Sequence, residues 1–193
     1  MNDNRSTNAP DNSNTATAIL GGGCFWCLDA VFRQVKGVNQ VISGFSGGEE
    51  ANPSYELACS GQTGHIEVVE LKFDESIISY EEILAIFFAS HDPTQTDGQG
   101  YDIGPQYMSV VFYQNEQQQQ TCQTLIDTMN ASDIYTNPII TSVRPAMAFY
   151  SAPEGHQNFY QLRQGVPYCQ IIIHPKLEKI RSLFGDKLIP IHI

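Results

Sequence analysis

The stretch that decides the fold reads ATAILGGGCFWC and occupies residues 16–27. It opens with a short, mostly apolar run that predicts a strand, and three consecutive glycines follow. Beyond Cys24, apolar residues recur with the spacing of one helical face, namely Leu28, Val31, Phe32 and Val35. Gly37 stands where a glycine commonly ends a helix. The stretch therefore predicts a strand, a glycine turn and a helix that begins at Cys24.

The rest of the chain mixes strand and helix patterns without strict alternation. Ser79 and Glu82 form the capping-box pattern that begins a helix, and Asn52 before Pro53 predicts a short helix through Cys59. Further predicted elements are strands at 38–45, 65–73, 107–113, 139–143 and 146–150, a loop at 94–104, and helices at 115–130, 153–163 and 176–184. In the strand predicted at 65–73, the alternation of apolar and polar residues slips once, which predicts a β-bulge. We therefore predict an α+β fold, with helices packed on a mixed β-sheet.

Length and composition bound the class of protein. The chain has 193 residues, 41% of them hydrophobic, which suits one domain with a sizeable core. Residues 1–15 are mostly polar and lack the apolar segment of a signal peptide, so we predict a disordered tail there and one domain over residues 16–193. The net charge of −11 repels phosphate groups, so nucleic acid and membranes are not expected as partners. No apolar run approaches the roughly 18 residues that a membrane helix needs.

The cysteine pattern indicates a reducing compartment. The count is odd and includes one CxxC pair, which is unlike the disulfide framework of a small secreted protein. The cysteines are Cys24, Cys27, Cys59, Cys122 and Cys169. We expect a cytoplasmic protein in which the CxxC pair serves redox chemistry or metal binding, while Cys59 and Cys122 are small core residues.

The CxxC pair lies where a thiol is expected to be reactive. The free N–H groups and the dipole of a helix N-terminus favour an anion, so the sequence predicts a lowered pKa for the Cys24 thiol. Cys27 follows one helical turn later, within reach of a disulfide bond. Phe25 and Trp26 lie between the two cysteines and present aromatic surface that suits an apolar or thioether group.

A glycine turn followed by a CxxC pair is also compatible, in general, with phosphate binding, zinc binding or thiol–disulfide exchange. A glycine turn before a helix can bind phosphate, but no GK[ST] sequence follows, which excludes a P-loop. A zinc site needs a second ligand pair at close spacing, and the remaining cysteines are isolated, so no metal is expected. General thiol–disulfide exchange through Cys24 and Cys27 fits the CxxC spacing and stays open as the alternative function.

Six short motifs, in order along the chain, resemble the methionine sulfoxide reductase A family. The similarity extends from residue 16 to residue 184, nearly the whole chain outside its ends. The motifs are GCFW at 23–26, NPSY at 52–55, GHIE at 64–67, QY at 106–107, GHQ at 155–157 and YC at 168–169. We expect a ferredoxin-like two-layer arrangement with a long C-terminal coil.

The resemblance implies reduction of the S epimer of methionine sulfoxide, free or in proteins, without a metal or organic cofactor. Cys24 would attack the sulfoxide sulfur and become a sulfenic acid, and Glu67 would protonate or hydrogen-bond the sulfoxide oxygen. Tyr55 and Tyr107 would hold that oxygen through their hydroxyl groups. General chemistry agrees, because sulfoxide oxygen leaves poorly until it is protonated, and burial raises the pKa of a carboxyl group toward neutrality.

The resemblance also implies substrate-binding residues. Phe25 and Trp26 would pack the ε-methyl group of the substrate. Asp102 resembles a family carboxylate near the substrate amine, although an aspartate in this loop is equally explained by a turn. His156 would orient the site, and the alternative is a surface histidine.

By the same resemblance, a second cysteine condenses with the sulfenic acid, and thioredoxin reduces the resulting disulfide. Cys169, in the sequence PYC, resembles the resolving position and is predicted on a mobile C-terminal loop. Cys27 stands where many family members have glycine, and helix geometry can strain a bond over one turn. We favour Cys169 as the resolving residue, with Cys27 as an alternative or relay, and we expect the protein to act as a monomer.

Overall fold

The computed structural model describes residues 14–190 of the chain. Most of the predicted tail lies outside this range, and Thr15 is already the first residue of a strand. The strands are β1 (Thr15–Gly21), β2 (Val38–Ser46), β3 (Ile66–Asp74), β4 (Gly98–Gln99), β5 (Asp102–Ile103), β6 (Val110–Tyr113), β7 (Ser142–Pro145) and β8 (Phe149–Ser151). Six of them form one sheet in the order β7-β6-β1-β3-β2-β8, and β4 pairs with β5 alone. Only the β6–β7 pair is parallel, so the predicted mixed sheet is confirmed.

Six α-helices accompany the sheet within the described range, which confirms the α+β class. They are α1 (Phe25–Phe32), α2 (Tyr55–Cys59), α3 (Tyr80–Ala89), α4 (Glu116–Asn130), α5 (Phe159–Leu162) and α6 (His174–Phe184). Short 3-10 turns cover Pro105–Tyr107, Glu154–His156 and Gly185–Lys187, and a π-helical turn over Cys169–Ile173 leads into α6. None of these helices combines the length and the apolar character that crossing a bilayer requires.

Both faces of the sheet carry buried apolar side chains. Val69, Leu71 and Phe73 of β3 point into the main core, where they meet the apolar faces of α1 and α3. The alternate residues Ile66 and Val68 belong to a smaller apolar cluster on the other face. Because side chains of a strand alternate between faces, Glu67 points to the same side as the main core.

The predicted bulge in β3 is wrong. β3 pairs with β1 without interruption, and the register shift lies in β2, between Val38 and Gln40. The sequence pattern misleads because Val68 and Val69 are both fully buried, one on each face of the sheet. Consecutive apolar residues in a strand covered on both sides therefore imitate a slip in alternation.

Two predicted helix starts have different outcomes. The capping box is present, since Ser79 accepts the N–H of Glu82 and the glutamate accepts the N–H of the serine. The start predicted at Asn52 is wrong, because this residue has a left-handed φ of 51°. Ser54 instead caps α2 and accepts the N–H of Leu57 at 3.1 Å.

The C-terminal third also departs from the prediction. The helix predicted over 153–163 is interrupted by Asn158, whose φ of 49° is left-handed, so only a 3-10 turn and the four-residue α5 form. The helix predicted over 176–184 is confirmed, but the coil predicted before it is wrong over residues 167–175, which are already helical through the π turn. Cys169 and Ile173 of that turn are fully buried, and this packing is not readable from the local sequence.

We expect Gly21→Ala to destabilise the fold. A Cβ at Gly21 would lie 2.8 Å from the backbone oxygen of Glu67 and 2.9 Å from a methyl group of Val110. Overpacking of this kind lowers the free energy of unfolding by about 1–3 kcal/mol. Gly185→Ala is the matched control, since its Cβ meets nothing within 4 Å and its φ of −57° suits any residue. Urea denaturation of both variants measures the effect, and equal stabilities would contradict this account of the strand packing.

Candidate functional site

Cys24 lies at the end of the glycine turn, at the N-cap position of α1. The turn requires glycine at position 23, where φ is +88° and a Cβ would lie 2.8 Å from the side chain of Gln99. The N–H of Gly23 donates to the backbone oxygen of Tyr107 at 3.1 Å, which fixes the turn against the 3-10 turn at 105–107. The Cys24 side chain is 7% exposed, so the thiol is held in place and largely shielded from water.

The predicted lowering of the Cys24 pKa is wrong for the protein without a bound substrate. Burial, together with the charges of Glu67 and Cys27, raises the pKa of this thiol well above its ordinary value. Hydrogen bonding to the Trp26 N–H and to the Tyr168 hydroxyl acts in the opposite direction and is outweighed. The helix N-terminus is present as predicted, but desolvation decides the sign.

Glu67 faces the first turn of α1 from the middle of the sheet. Its Oε2 accepts the N–H of Phe25 at 2.9 Å, and its Oε1 accepts the thiol of Cys59 at 3.6 Å. Only 2% of Glu67 is exposed. Burial raises the pKa of this carboxyl group to about 7, against the opposing effect of those two hydrogen bonds. The site therefore offers a carboxyl group that can hold a proton close to neutral pH.

Tyr55 and Tyr107 are half-buried and share the same charged neighbours. Burial raises the pKa of both phenols, and the charges of Glu67, Cys24 and Cys59 raise it further. Both therefore keep their hydroxyl protons as hydrogen-bond donors. The segments that contain these two tyrosines are also joined. The Gln106 side chain, next to Tyr107, donates to the backbone oxygen of Cys59, at the end of α2, at 3.0 Å.

Aromatic rings form a continuous group near Glu67 and Tyr55. Trp26 stacks on Phe159 with 3.7 Å between ring centroids, and His156 stacks on Tyr55 at 3.9 Å. Phe25 is fully buried and lies 6.3 Å from the ring of His156. Trp26 Nε1 and His156 Nδ1 are buried and have no hydrogen-bond partner among the described residues.

Asp102 belongs to a cavity on a different side of Cys24. The cavity has a volume of about 560 Å³, and its lining includes Cys24, Cys27, Asp102, Tyr168 and Lys176. The Tyr168 hydroxyl donates to Asp102 at 2.6 Å and lies 3.8 Å from the sulfur of Cys27. Glu67, Tyr55 and Tyr107 are not part of this lining. Cys24 thus stands between a carboxyl–tyrosine group and an open cavity.

The predicted mobile loop around Cys169 is wrong. Cys169 is fully buried in the π-helical turn and packs in the main core. It contributes to a second pocket, which also includes Tyr160, Gln164 and His174, and it is not part of the cavity beside Cys24. All five cysteines are free thiols in this structure.

Three contacts of the site were missed at the sequence level. Cys59 was predicted as a core residue, yet its thiol contacts Glu67; its position four residues after Tyr55, on the same helical face, is the signal that could have found it. Tyr168 lies in the YC motif, which does not indicate its partner Asp102, and Phe159 carries no signal, because both contacts join segments far apart in the chain.

Metal-ligating side chains are not clustered in the described part of the chain. Across residues 14–190, no three His, Cys, Asp or Glu side chains are grouped as ligands of one ion.

Comparison with known proteins gives consistent matches. The sequence model of the peptide methionine sulfoxide reductase family matches residues 16–188. Peptide methionine sulfoxide reductase MsrA of Chromobacterium violaceum is 48% identical over 171 residues, which cover 89% of this chain and 97% of that protein.

Solved structures agree on the fold. Mxr1 of Saccharomyces cerevisiae in reduced form has a TM-score of 0.77 and 27% identity, covering 85% of this chain and 94% of that one. Mxr1 in complex with Trx2 has a TM-score of 0.56 and 20% identity, covering 80% of this chain and 91% of that one. These matches confirm the family that the six motifs indicate. The chain belongs to the peptide methionine sulfoxide reductase family.

Proposed function

We propose that the chain reduces the S epimer of methionine sulfoxide, free or in proteins, to methionine, with Cys24 as the nucleophile. The observation that carries the proposal is the placement of the Cys24 thiol at a helix N-terminus beside Glu67, a buried carboxyl group that can hold a proton near neutral pH. Reduction of a sulfoxide requires such a pair, because a sulfur nucleophile must attack while the oxygen receives a proton.

The reaction transfers oxygen from one sulfur to another. The Cys24 sulfur attacks the sulfoxide sulfur, the sulfoxide oxygen takes up a proton, and the oxygen ends on Cys24 as a sulfenic acid. Methionine leaves with its sulfur reduced by two electrons, and Cys24 is oxidised by the same two electrons. Glu67 gives a proton to the oxygen and recovers one from the Cys24 thiol, so no proton is consumed overall.

The raised pKa of the thiol makes its reactivity depend on the substrate. Besides burial, the charge of Glu67 raises the pKa of Cys24, so the pair resists carrying two negative charges. A bound sulfoxide avoids this conflict, because Glu67 passes its proton to the oxygen and takes up the proton of the Cys24 thiol, so that the pair does not hold two negative charges at once. The helix N-terminus then stabilises the thiolate, as the Trp26 N–H already favours it.

Tyr55 and Tyr107 supply donors for the oxygen. Their raised pKa values keep both phenols protonated beside Glu67 and Cys24. Donors fixed before the reaction stabilise developing negative charge, and the loss of one typically costs about 3 kcal/mol of activation free energy. Both side chains therefore serve as the oxygen-binding part of the site.

Phe25 and Trp26 bind the apolar part of the substrate. A methyl group attached to sulfur packs well against aromatic rings, and the stacks of Trp26 on Phe159 and of His156 on Tyr55 hold the rings in place. His156 therefore acts by positioning. Rings on one side and oxygen donors on the other distinguish the two epimers by shape. Asp102, in the adjoining cavity, is placed to accept a hydrogen bond from the substrate backbone or amine.

A second cysteine, Cys169 or Cys27, resolves the sulfenic acid, and a dithiol of the thioredoxin class reduces the disulfide. Mxr1, a structural relative, has been crystallised in complex with Trx2, which supports this class of reductant. The alternative function, general thiol–disulfide exchange, is favoured by one observation: Cys24 and Cys27 occupy the N-cap position and the third residue of α1. That arrangement brings the two residues together in the first turn.

We also propose the finer features of the architecture and setting. The order β6-β1-β3-β2, with α1 joining β1 to β2 and α3 following β3, supports a ferredoxin-like two-layer arrangement within a single catalytic domain over residues 16–193. The core residues of α1, α3, α4 and α6 belong to one cluster, which supports one helical layer. The five free thiols suit the reducing cytoplasm. We propose a monomer as the working state.

We expect the purified chain to convert the S epimer of a methionine sulfoxide derivative and to leave the R epimer. Chiral chromatography with dithiothreitol as reductant measures the products. Cys24→Ser should abolish conversion under every reductant, because it removes the attacking sulfur. Cys122→Ala removes a buried cysteine of α4 outside the site and should retain activity. Conversion of both epimers alike, or activity in Cys24→Ser, would overturn the proposal.

Glu67→Gln should slow the reduction step without preventing folding. Glutamine can accept the Phe25 N–H but cannot donate a carboxyl proton, and loss of a general acid typically costs about 10²–10⁴ in rate. Single-turnover methionine formation measures this step, with circular dichroism as the check on folding. General thiol–disulfide exchange predicts instead an unchanged rate of insulin reduction in Glu67→Gln and its loss in Cys27→Ser, and that pair of results would favour the alternative.

The same substitution should change how stability depends on pH. The folded pKa of Glu67, about 7, exceeds its ordinary 4.5, so its protonated form stabilises the fold at low pH and this contribution is lost as the pH rises through 7. Glutamine stays neutral throughout. The free energy of unfolding of Glu67→Gln, relative to the parent, should rise by about 1–3 kcal/mol between pH 4.5 and pH 8. Urea denaturation at both pH values measures it, and a difference that does not change with pH contradicts the assignment.

A further inference from the structure

We propose that the substrate cavity continues along α6 into a basic groove, which binds an acidic residue flanking methionine sulfoxide in an oxidised protein. The basic groove is a pocket of about 490 Å³ whose lining includes Gln99, Lys176 and Lys179. This inference rests on the proposed function and specifies which protein substrates that site prefers.

The basic groove and the substrate cavity share part of their walls. Gln99 and Lys176 line both the groove and the cavity that contains Cys24. The Gln99 side chain is fixed at this junction, because its Oε1 accepts the N–H of Asp92 at 3.0 Å and its Nε2 donates to the backbone oxygen of Asp92 at 2.9 Å. It also packs on the glycine turn, where a Cβ at Gly23 would lie 2.8 Å from it. The groove therefore begins at the edge of the substrate cavity, at a wall that the fold holds in place.

Two lysines supply the charge of the groove. Lys176 and Lys179 lie three residues apart on α6, so their side chains share one helical face. Lys176 is partly exposed and Lys179 is exposed. Within residues 14–190, neither forms an ion pair with a carboxylate, and the acidic residue between them, Glu178, lies 3.5 Å from Nε2 of His174. Both ammonium groups can therefore pair with a carboxylate of a ligand.

Positive charge prevails in the groove. Asp92 is the acidic residue of its lining, and its Oδ1 already accepts the N–H of Thr94 at 2.9 Å and the Thr94 hydroxyl at 2.7 Å. Burial, with the charges of both lysines, lowers the pKa of the His91 imidazole to about 4, while a hydrogen bond to the Phe87 backbone and the charge of Asp92 oppose them. This imidazole is therefore neutral at pH 7, and the groove carries two positive charges against one negative charge.

The groove contrasts with the rest of the chain. The protein has 10 basic and 21 acidic residues and a net charge of −11, so its surface as a whole repels acidic peptides. At physiological ionic strength, exposed charges are screened over about 8 Å, so direct contact with the two lysines decides at the groove. A basic groove beside the substrate cavity of an acidic protein therefore selects among peptides by their local charge.

The occupant that we assign to the groove is the chain that carries methionine sulfoxide. When the sulfoxide reaches Cys24, the main chain of a protein substrate has to continue past the mouth of the cavity in both directions. An extended chain advances about 3.3 Å per residue, so a few residues bridge the junction at Gln99. An aspartate or glutamate there meets Lys176 and Lys179, whereas free methionine sulfoxide has no such residue.

The test compares peptides that differ in one side chain. Short peptides carry methionine sulfoxide at the centre, with glutamate or glutamine placed in turn at each of four positions on either side, and dithiothreitol is the reductant. On one side, at one or two neighbouring positions, glutamate should raise kcat/KM about three- to tenfold over glutamine, as one or two partly exposed ion pairs do. This ratio should fall toward one at about 0.5 M sodium chloride, because salt screens such pairs.

Lys179→Gln is the decisive variant, because Lys179 lies in the groove and outside the lining of the cavity that contains Cys24. It should lower the ratio of kcat/KM for the glutamate and glutamine peptides at least about twofold, and Lys179→Glu should bring that ratio to one or below. The ratio cancels any change in folding or in chemistry that both peptides share. Lys36→Gln is the matched control. It removes the same charge beyond the far end of α1, where the ammonium donates to the backbone oxygen of Asp186 at 2.8 Å, and should keep the ratio of the parent.

A ratio of one at every position in the parent, or an unchanged ratio in both Lys179 variants, would overturn the groove as a binding site for acidic residues. Variants that keep the ratio but turn over more slowly with thioredoxin would overturn it as well, since the lysines would then serve the reductant. Absence of reduction of every peptide, including those with glutamine, would instead refute the proposed function.

Discussion

A buried carboxyl group holds the first turn of α1 against the central strand of the sheet, and the site depends on this contact. Glu67 accepts the N–H of Phe25, one of the donors that a helix N-terminus leaves without a partner inside the helix. It thereby replaces the side-chain cap that Cys24 does not supply. Because the carboxyl group is almost entirely buried, ionisation costs solvation, and it holds its proton to about pH 7. The interaction that places the helix therefore also places a proton donor beside the thiol.

Burial, reinforced by mutual repulsion among acidic groups, governs protonation in this region. Glu67 raises the pKa values of Cys24 and Cys59, and Cys27 raises that of Cys24. Buried groups of one sign disfavour each other's ionisation strongly, since little water screens them. The resting site is therefore close to neutral, and Cys24 can give its thiol proton to Glu67 once the carboxyl group has passed its own proton to a substrate oxygen. This arrangement protects the thiol from indiscriminate reaction, because its reactivity requires the right substrate.

Contacts between distant segments complete the site. The hydrogen bond from Tyr168 to Asp102 joins the β4–β5 hairpin to the turn before α6, and the stack of Trp26 on Phe159 joins α1 to α5. In the π turn that follows Tyr168, Cys169 and Ile173 are buried while Ile171 is exposed. A helix with a π turn is less regular than an α-helix, and such turns occur frequently at functional sites.

The sequence by itself determined the local features of the protein. The glycine turn with Cys24 at a helix start, the capping box at Ser79 and the α+β class follow from short-range patterns, and six motifs identify the family. Local patterns suffice there because turn conformation, capping and amphipathic spacing depend on residues within a few positions. The candidate carboxyl group Glu67 was also identified, through its motif.

Only the tertiary structure decided the rest. The pKa of Cys24 is raised and not lowered, because burial depends on how the whole sheet and helices pack around one sulfur. The helical, buried state of Cys169 likewise depends on segments distant in the chain, whereas the contact of Cys59 with Glu67 joins the neighbouring elements α2 and β3. Desolvation and contact between remote residues are properties of the packed molecule, and no pattern along the chain encodes them within a single turn or strand.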